Sequence, residues 1–118
     1  METTENNKLI AEFMGGISVP NDYINFPVTN GINAMPISKL KYHSSWDWLI
    51  PVVEKIESIG RTAVVIGFDT CEIKDENYAD LSKNLPDRFD SFNEEGKTKL
   101  EATYKAVIEF IKWYNENR

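Results

Sequence analysis

His43, Ser44, Ser45 and Asp47 fall within five consecutive positions. An imidazole, hydroxyls and a carboxylate are the parts of a nucleophilic hydrolase. A working triad holds the imidazole between hydroxyl and carboxylate, each within hydrogen-bond reach. Groups strung along one short stretch rarely meet that geometry. The same residues at the same spacing make a helix start. Ser44 at the N-cap accepts from the backbone N–H of Asp47, and the Asp47 carboxylate bonds back to the N–H of Ser44, the S-x-x-[DE] capping box. Asp47 then also lies against the positive end of the helix. The stretch predicts a capped helix and no catalytic residue. His43, just ahead of the cap, reads as a partly buried spacer, with ligand binding as its alternative role.

Other reactive chemistry is sparse. One histidine and one cysteine supply no zinc set, and no D-x-[DN]-x-[DN]-G run offers a calcium loop. Gly15-Gly16 is not a phosphate-binding G-x-G-x-x-G. The single cysteine excludes an intramolecular disulfide. Cys71 lies in an apolar run without a neighbouring Lys or Arg to activate it, and reads as an inert buried thiol. We expect no metal, no cofactor and no enzymatic activity.

The charge is acidic, net −6 over 118 residues, and unevenly spread. Between Glu72 and Glu95 eight acids, including Asp75, Glu76 and Asp80, face three bases, a local net of −5. Phosphate contacts need clustered Lys and Arg, so direct nucleic-acid binding is not expected. The segment reads as a solvated acidic loop or as a docking surface for a basic partner. No apolar run approaches the roughly 20 residues of a membrane span. The polar start METTENNKLIAEF has no secretory pattern, and a cytoplasmic location is expected.

Length and composition fit a single domain over 1–118. Leu9, Ile10, Phe13 and Met14 form one stripe and predict a helix near 4–14, ended by Gly15-Gly16. DYINF (22–26) reads as an edge strand with Asn30-Gly31 as its turn, and 37–42 as another strand. Trp46, Leu49, Ile50, Val53 and Ile56, widened by Trp48 and Val52, predict a largely buried helix over 45–58. Pro51 lies inside it and removes a hydrogen bond, at about 3 kcal/mol in a regular interior. TAVVIGFDTCEI (62–73) reads as one strand, apolar on both faces. In 74–97, YADL and RFDSF could add an edge strand or a helical turn. Leu100, Tyr104, Val107, Ile108 and Ile111, with Ala106, Phe110 and Trp113 beside them, predict a helix over 98–116. Its opposite face carries Glu101, Lys105, Glu109, Lys112 and Glu116. The fold expected is α/β in the α+β sense: a small, mostly antiparallel sheet of three to four strands, with helices on both faces in α-β-α layers.

Three blocks carry a resemblance: NKLIAEFMGG near the start, YHSSWDWLIPVVEKIE in the middle and EATYKAVIEFIKWYN at the end. Together they resemble the small "ABA sandwich" proteins encoded by phages and prophages. The matching residues are Ile10, Ala11, Glu12, Phe13, Met14 and Gly15, then Tyr42, Ser44, Ser45 and Asp47, then Ala102 and Ala106. Trp46 departs from the group's pattern. The resemblance implies an α-β-α layered fold and brings no catalytic residues.

The aromatic residues are more than one helix face buries easily, so Trp46, Trp48, Trp113 and Tyr114 are candidate contact residues if they reach the surface. With His43, Asp47, Asp75, Glu76 and Asp80 they make the candidate binding set. The leading expectation is a non-enzymatic phage or prophage accessory protein that binds a host or phage protein, counter-defence being one setting, with homodimerisation open. The alternatives are a small-ligand protein that sequesters a nucleotide signal, stacking it on Trp46 and Trp48 with the helix start as anion site, and a structural oligomer subunit.

Overall fold

The computed structural model describes residues 2–28, 31–59, 62–75 and 91–117. Helix α1 (Glu2–Phe13) buries Ile10, Ala11 and Phe13. It ends as a Schellman turn: Gly16 N–H donates to the Ala11 carbonyl at 2.8 Å and Gly15 N–H to that of Glu12 at 3.1 Å. Gly15 has φ +98°, a conformation open to glycine without strain. Gly16 is needed for space, because a Cβ there would lie 2.9 Å from the Ile24 side chain.

Strands β1 (Ile17–Val19), β2 (Tyr23–Val28) and β3 (Gly31–Pro36) form an antiparallel sheet in that order. The segment expected as an edge strand is therefore the central one, and it carries the fully buried Ile24. Asn21 and Asp22, at φ 70° and 60°, turn the chain between β1 and β2; their short polar side chains tolerate that region. Val28 pairs with Gly31, while Asn30 lies outside the described residues.

The strand expected at 37–42 is instead a single 3-10 turn, Ile37–Lys39, followed by a tight turn. Ile37 and Leu40, both buried, are three apart, a spacing that one 3-10 turn brings to the same side, whereas a strand would set them on opposite faces. Helix α2 (Trp46–Glu57) starts one residue later than the capping box requires. The Lys41 carbonyl draws in the N–H groups of Ser44 and Ser45, at 3.1 and 3.0 Å, so Ser44 is held inside a turn. Ser45 is the N-cap, extended at φ −139°, and makes no side-chain cap bond. Asp47 stays in the first turn, near the positive helix end, without the reciprocal bond. Leu49, Val52, Val53 and Ile56 are buried, whereas Ile50, expected inside, is exposed.

The run 62–73 is a hairpin rather than one strand. Strands β4 (Thr62–Ile66) and β5 (Thr70–Asp75) pair antiparallel, with Val64 opposite Ile73 and Ile66 opposite Cys71. Side chains of directly paired residues share a face, so Val64, Ile66, Cys71 and Ile73 point the same way, onto the core. Strand β6 (Phe92–Glu95) adds to β5, giving the order β4-β5-β6. YADL lies outside the described residues. Helix α3 (Lys99–Asn117) packs on β5 and β6, and α2 on β4. Ala102 and Ala106 are fully buried, small enough to let α3 approach closely. Thr98 accepts from Glu101 N–H at 3.1 Å, and Glu101 accepts from Lys97 N–H at 3.0 Å, so this helix carries the side-chain cap that α2 lacks. The bond from Lys97 N–H, with Lys105 beside it, holds the Glu101 carboxyl below its usual range.

Among the described residues the fold is α+β: two three-stranded antiparallel sheets with three helices packed against them. The expected strands are divided between two sheets. No described helix is long and apolar enough to cross a membrane.

Two substitutions test this packing by chemical denaturation. Thr103 is fully buried on α3 and its hydroxyl makes no hydrogen bond of good geometry; the Cys71 thiol beside it is a poor partner. Thr103→Val should therefore stabilise by about 1 kcal/mol, by removing an unsatisfied hydroxyl. Gly16→Ala should destabilise by about 1–3 kcal/mol, through overpacking against Ile24.

Candidate functional site

A recess of about 340 Å³ opens at the start of α2, lined by Met14, Phe26, Tyr42, Asp47, Trp48 and Pro51. Four elements build it. The Schellman turn after α1 presents Met14, and β2 presents Phe26. The tight turn closed on the Lys41 carbonyl delivers Tyr42, whose ring is buried. Trp48 and Pro51, three apart on α2, share one helix face. The Tyr42 and Trp48 rings meet edge to face at 5.2 Å and 89°, a favoured aromatic geometry. Burial pushes the Tyr42 phenol up to about 12. Asp47 is exposed on the rim, so an apolar floor has a charged edge.

The candidate residues do not gather in one place. Asp47 and Trp48 line the recess, while Trp46 is partly buried against the core. His43 belongs to a different junction. Asn7, 2% exposed on α1, donates from Nδ2 to the Leu40 carbonyl at 3.2 Å and to His43 Nδ1 at 2.9 Å. Its Oδ1 accepts from the Tyr104 hydroxyl at 2.9 Å. Because the amide nitrogen only donates, His43 Nδ1 is the acceptor and the imidazole proton sits on Nε2. His43 forms one wall of a separate polar cleft with Glu101, Tyr104 and Lys105.

Trp113 and Tyr114 belong to an aromatic cluster at the end of α3. Phe110 stacks with Tyr114 at 6.1 Å, Trp113 lies 5.7 Å from Phe110, and Phe13 meets Tyr114 edge-on at 5.6 Å. Lys55 sits 4.6 Å over the Phe13 ring and donates to the Phe13 carbonyl, binding α2 to the end of α1. Trp113 and Tyr114 remain half-buried, and Tyr114 lines a separate recess of about 460 Å³ with Phe13 and Lys55. Asp75 is half-buried at the end of β5, opposite Thr62. Glu76 and Asp80 lie outside the described residues.

Sequence reading missed Asn7, Met14, Phe26, Tyr42 and Tyr104 as functional or organising residues. Asn7 had a legible signal: it precedes Ile10 and Ala11 by three and four positions, on the buried face of α1. Among the described residues no three His, Cys, Asp or Glu side chains gather to hold a metal ion. Comparison with protein-family models, curated proteins and solved structures gives no match.

Tyr42 gives this site a pH signature. Its folded pKa is raised above the unfolded value near 10, so its contribution is fully present below about pH 10 and is lost as pH rises through about 12. The loss is at most about 3 kcal/mol, from roughly two pKa units. Tyr42→Phe should flatten this part of the alkaline stability profile, measured by denaturation at stepped pH. An unchanged profile would assign the effect to another group.

Proposed function

We propose that this chain is a non-enzymatic accessory protein of phage or prophage origin that acts in the host cytoplasm by binding another protein, with counter-defence as one setting. The observation that carries the reading is the recess at Trp48. It combines a half-buried tryptophan, a tyrosine edge, a methionine and a phenylalanine, with a carboxylate on the rim. Aromatic anchors in a pocket with a polar rim are what dominate protein-binding surfaces. The resemblance of the three sequence blocks supports the phage attribution. The acidic window from Glu72 to Glu95 supports a partner with a basic surface.

A second reading rests on the same recess. Its volume lies at the lower end of small-ligand pockets, and Trp48 could stack a nucleotide base. Asp47 and the net −6 charge weigh against a phosphate-bearing ligand.

Native mass spectrometry before and after incubation with host lysate separates the two. A protein-sized mass increase, lost at least about tenfold in Trp48→Ala, is the expected result for an anchor residue. A retained mass of a few hundred daltons, on the order of a nucleotide, with quenching of tryptophan fluorescence, would replace the first reading by the second. Neutralising the acids between Asp75 and Glu95 should weaken capture; unchanged capture would remove the acidic surface from the interface.

A further inference from the structure

We propose that the recess at Trp48 takes an arginine side chain of the partner protein, its guanidinium stacked on the Trp48 ring and held by the Asp47 carboxylate and the Tyr42 hydroxyl. This rests on the recess reading above and names the chemical group that fills it. An aromatic corner, an unpartnered hydroxyl on a buried ring and an unpaired carboxylate together point to that group.

Tyr42 and Trp48 both line the recess, and their planes stand at 89° with centroids 5.2 Å apart. Two rings at a right angle present two π-faces to one occupant. A cation within roughly 6 Å of such a face is attracted by the ring quadrupole, most strongly at tryptophan. Met14, Phe26 and Pro51 complete the lining and carry no charge. They suit the methylene stem of a long basic side chain, which packs on apolar surface while its head stays near polar groups.

The two polar groups of the recess accept hydrogen bonds and lack donors. Tyr42 is 5% exposed. Its hydroxyl makes no hydrogen bond among the described residues, yet it is not sealed from solvent. Burial alone raises its pKa, with no bonding partner contributing. It is therefore a neutral phenol with free lone pairs at ordinary pH. A donor that enters the recess supplies the bond that the protein itself does not. Asp47 lies exposed on the rim and forms no ion pair among the described residues. The field of a chain with net −6 charge also favours a cationic visitor.

Arginine fits these groups better than lysine. A guanidinium is planar and weakly hydrated, so its face stacks on a ring while its edge donates in the plane. Its five N–H groups can serve Asp47 and Tyr42 while it covers Trp48. An ammonium is a strongly hydrated point charge and loses more on leaving water. An uncharged apolar side chain would leave both acceptors unused.

The probes are Nα-acetyl-arginine amide, the lysine analogue of equal charge and the uncharged norleucine analogue, each titrated into the full chain. The readout is the indole N–H resonance of Trp48, assigned with Trp48→Phe. The expected result is a saturable shift with the arginine probe, about fivefold tighter than with lysine and weakened by added salt. Asp47→Asn and Tyr42→Phe, both checked for folding by circular dichroism, should each weaken arginine binding by about threefold or more. No saturable shift with arginine, an equal response to lysine or norleucine, or unchanged binding in both variants would each overturn the proposal. Partner capture that is lost in Trp48→Ala but untouched in Asp47→Asn would also remove the arginine, while leaving the recess reading in place.

Discussion

The arrangement turns on one buried amide. Among the described residues the two sheets share no ladder of hydrogen bonds, so there the β1-β2-β3 half and the β4-β5-β6 half are set by side chains and helices. Asn7 ties α1 to the chain after the 3-10 turn through the Leu40 carbonyl, and to α3 through the Tyr104 hydroxyl. A buried polar group left unpaired costs far more than a satisfied one contributes. The apolar surfaces around it could slide over one another at little cost. The amide cannot, because each of its bonds fails when α1 shifts along α3. Hydrophobic burial drives the collapse, and the Asn7 bonds fix α1 against the chain at Leu40 and against α3.

Much of this was legible where periodicity was strong. The helices over 2–13, 46–57 and 99–117 follow from stripes of apolar residues; on α3 Tyr104, Ala106, Val107, Ile108, Phe110 and Ile111 are inward as their spacing implies, whereas Leu100 and Trp113 are half-buried and Ala102 and Thr103 are buried as well. The errors share a cause: short apolar alternations fit more than one local structure. Leu40 and Tyr42 alternate as on a strand, while Ile37 and Leu40, three apart and both buried, fit the 3-10 turn that forms. TAVVIGFDTCEI has apolar residues throughout, so one strand and a hairpin leave the same trace, and only pairing tells them apart. Gly67 was the available clue, since a Cβ there would come within 2.6 Å of Thr70 Oγ1. The capping box failed because the turn before the helix takes one of its donors: the Lys41 carbonyl accepts from Ser44 N–H, the group that the Asp47 carboxylate would have bound.

The candidate site was less legible than the fold because it is assembled across elements. Trp48 and Asp47 could be named from the sequence. Met14 and Phe26 could not, since their place beside Trp48 depends on how the first sheet sits under α1. The aromatic count was informative in another way. Phe13, Phe110, Trp113 and Tyr114 form an interlocked group at the end of α3, apart from the Tyr42–Trp48 pair at the recess, where Tyr42 is buried and Trp48 half-buried.

Pro51 has a further consequence. It lies inside α2, and its ring nitrogen carries no hydrogen. The helical bond that the Asp47 carbonyl would have received is therefore missing. That carbonyl stands one turn before Pro51, where both residues line the recess. The Pro51 ring stands where that donor would be, so at this turn the recess is lined by an apolar ring where an ordinary residue would have placed a helical hydrogen bond.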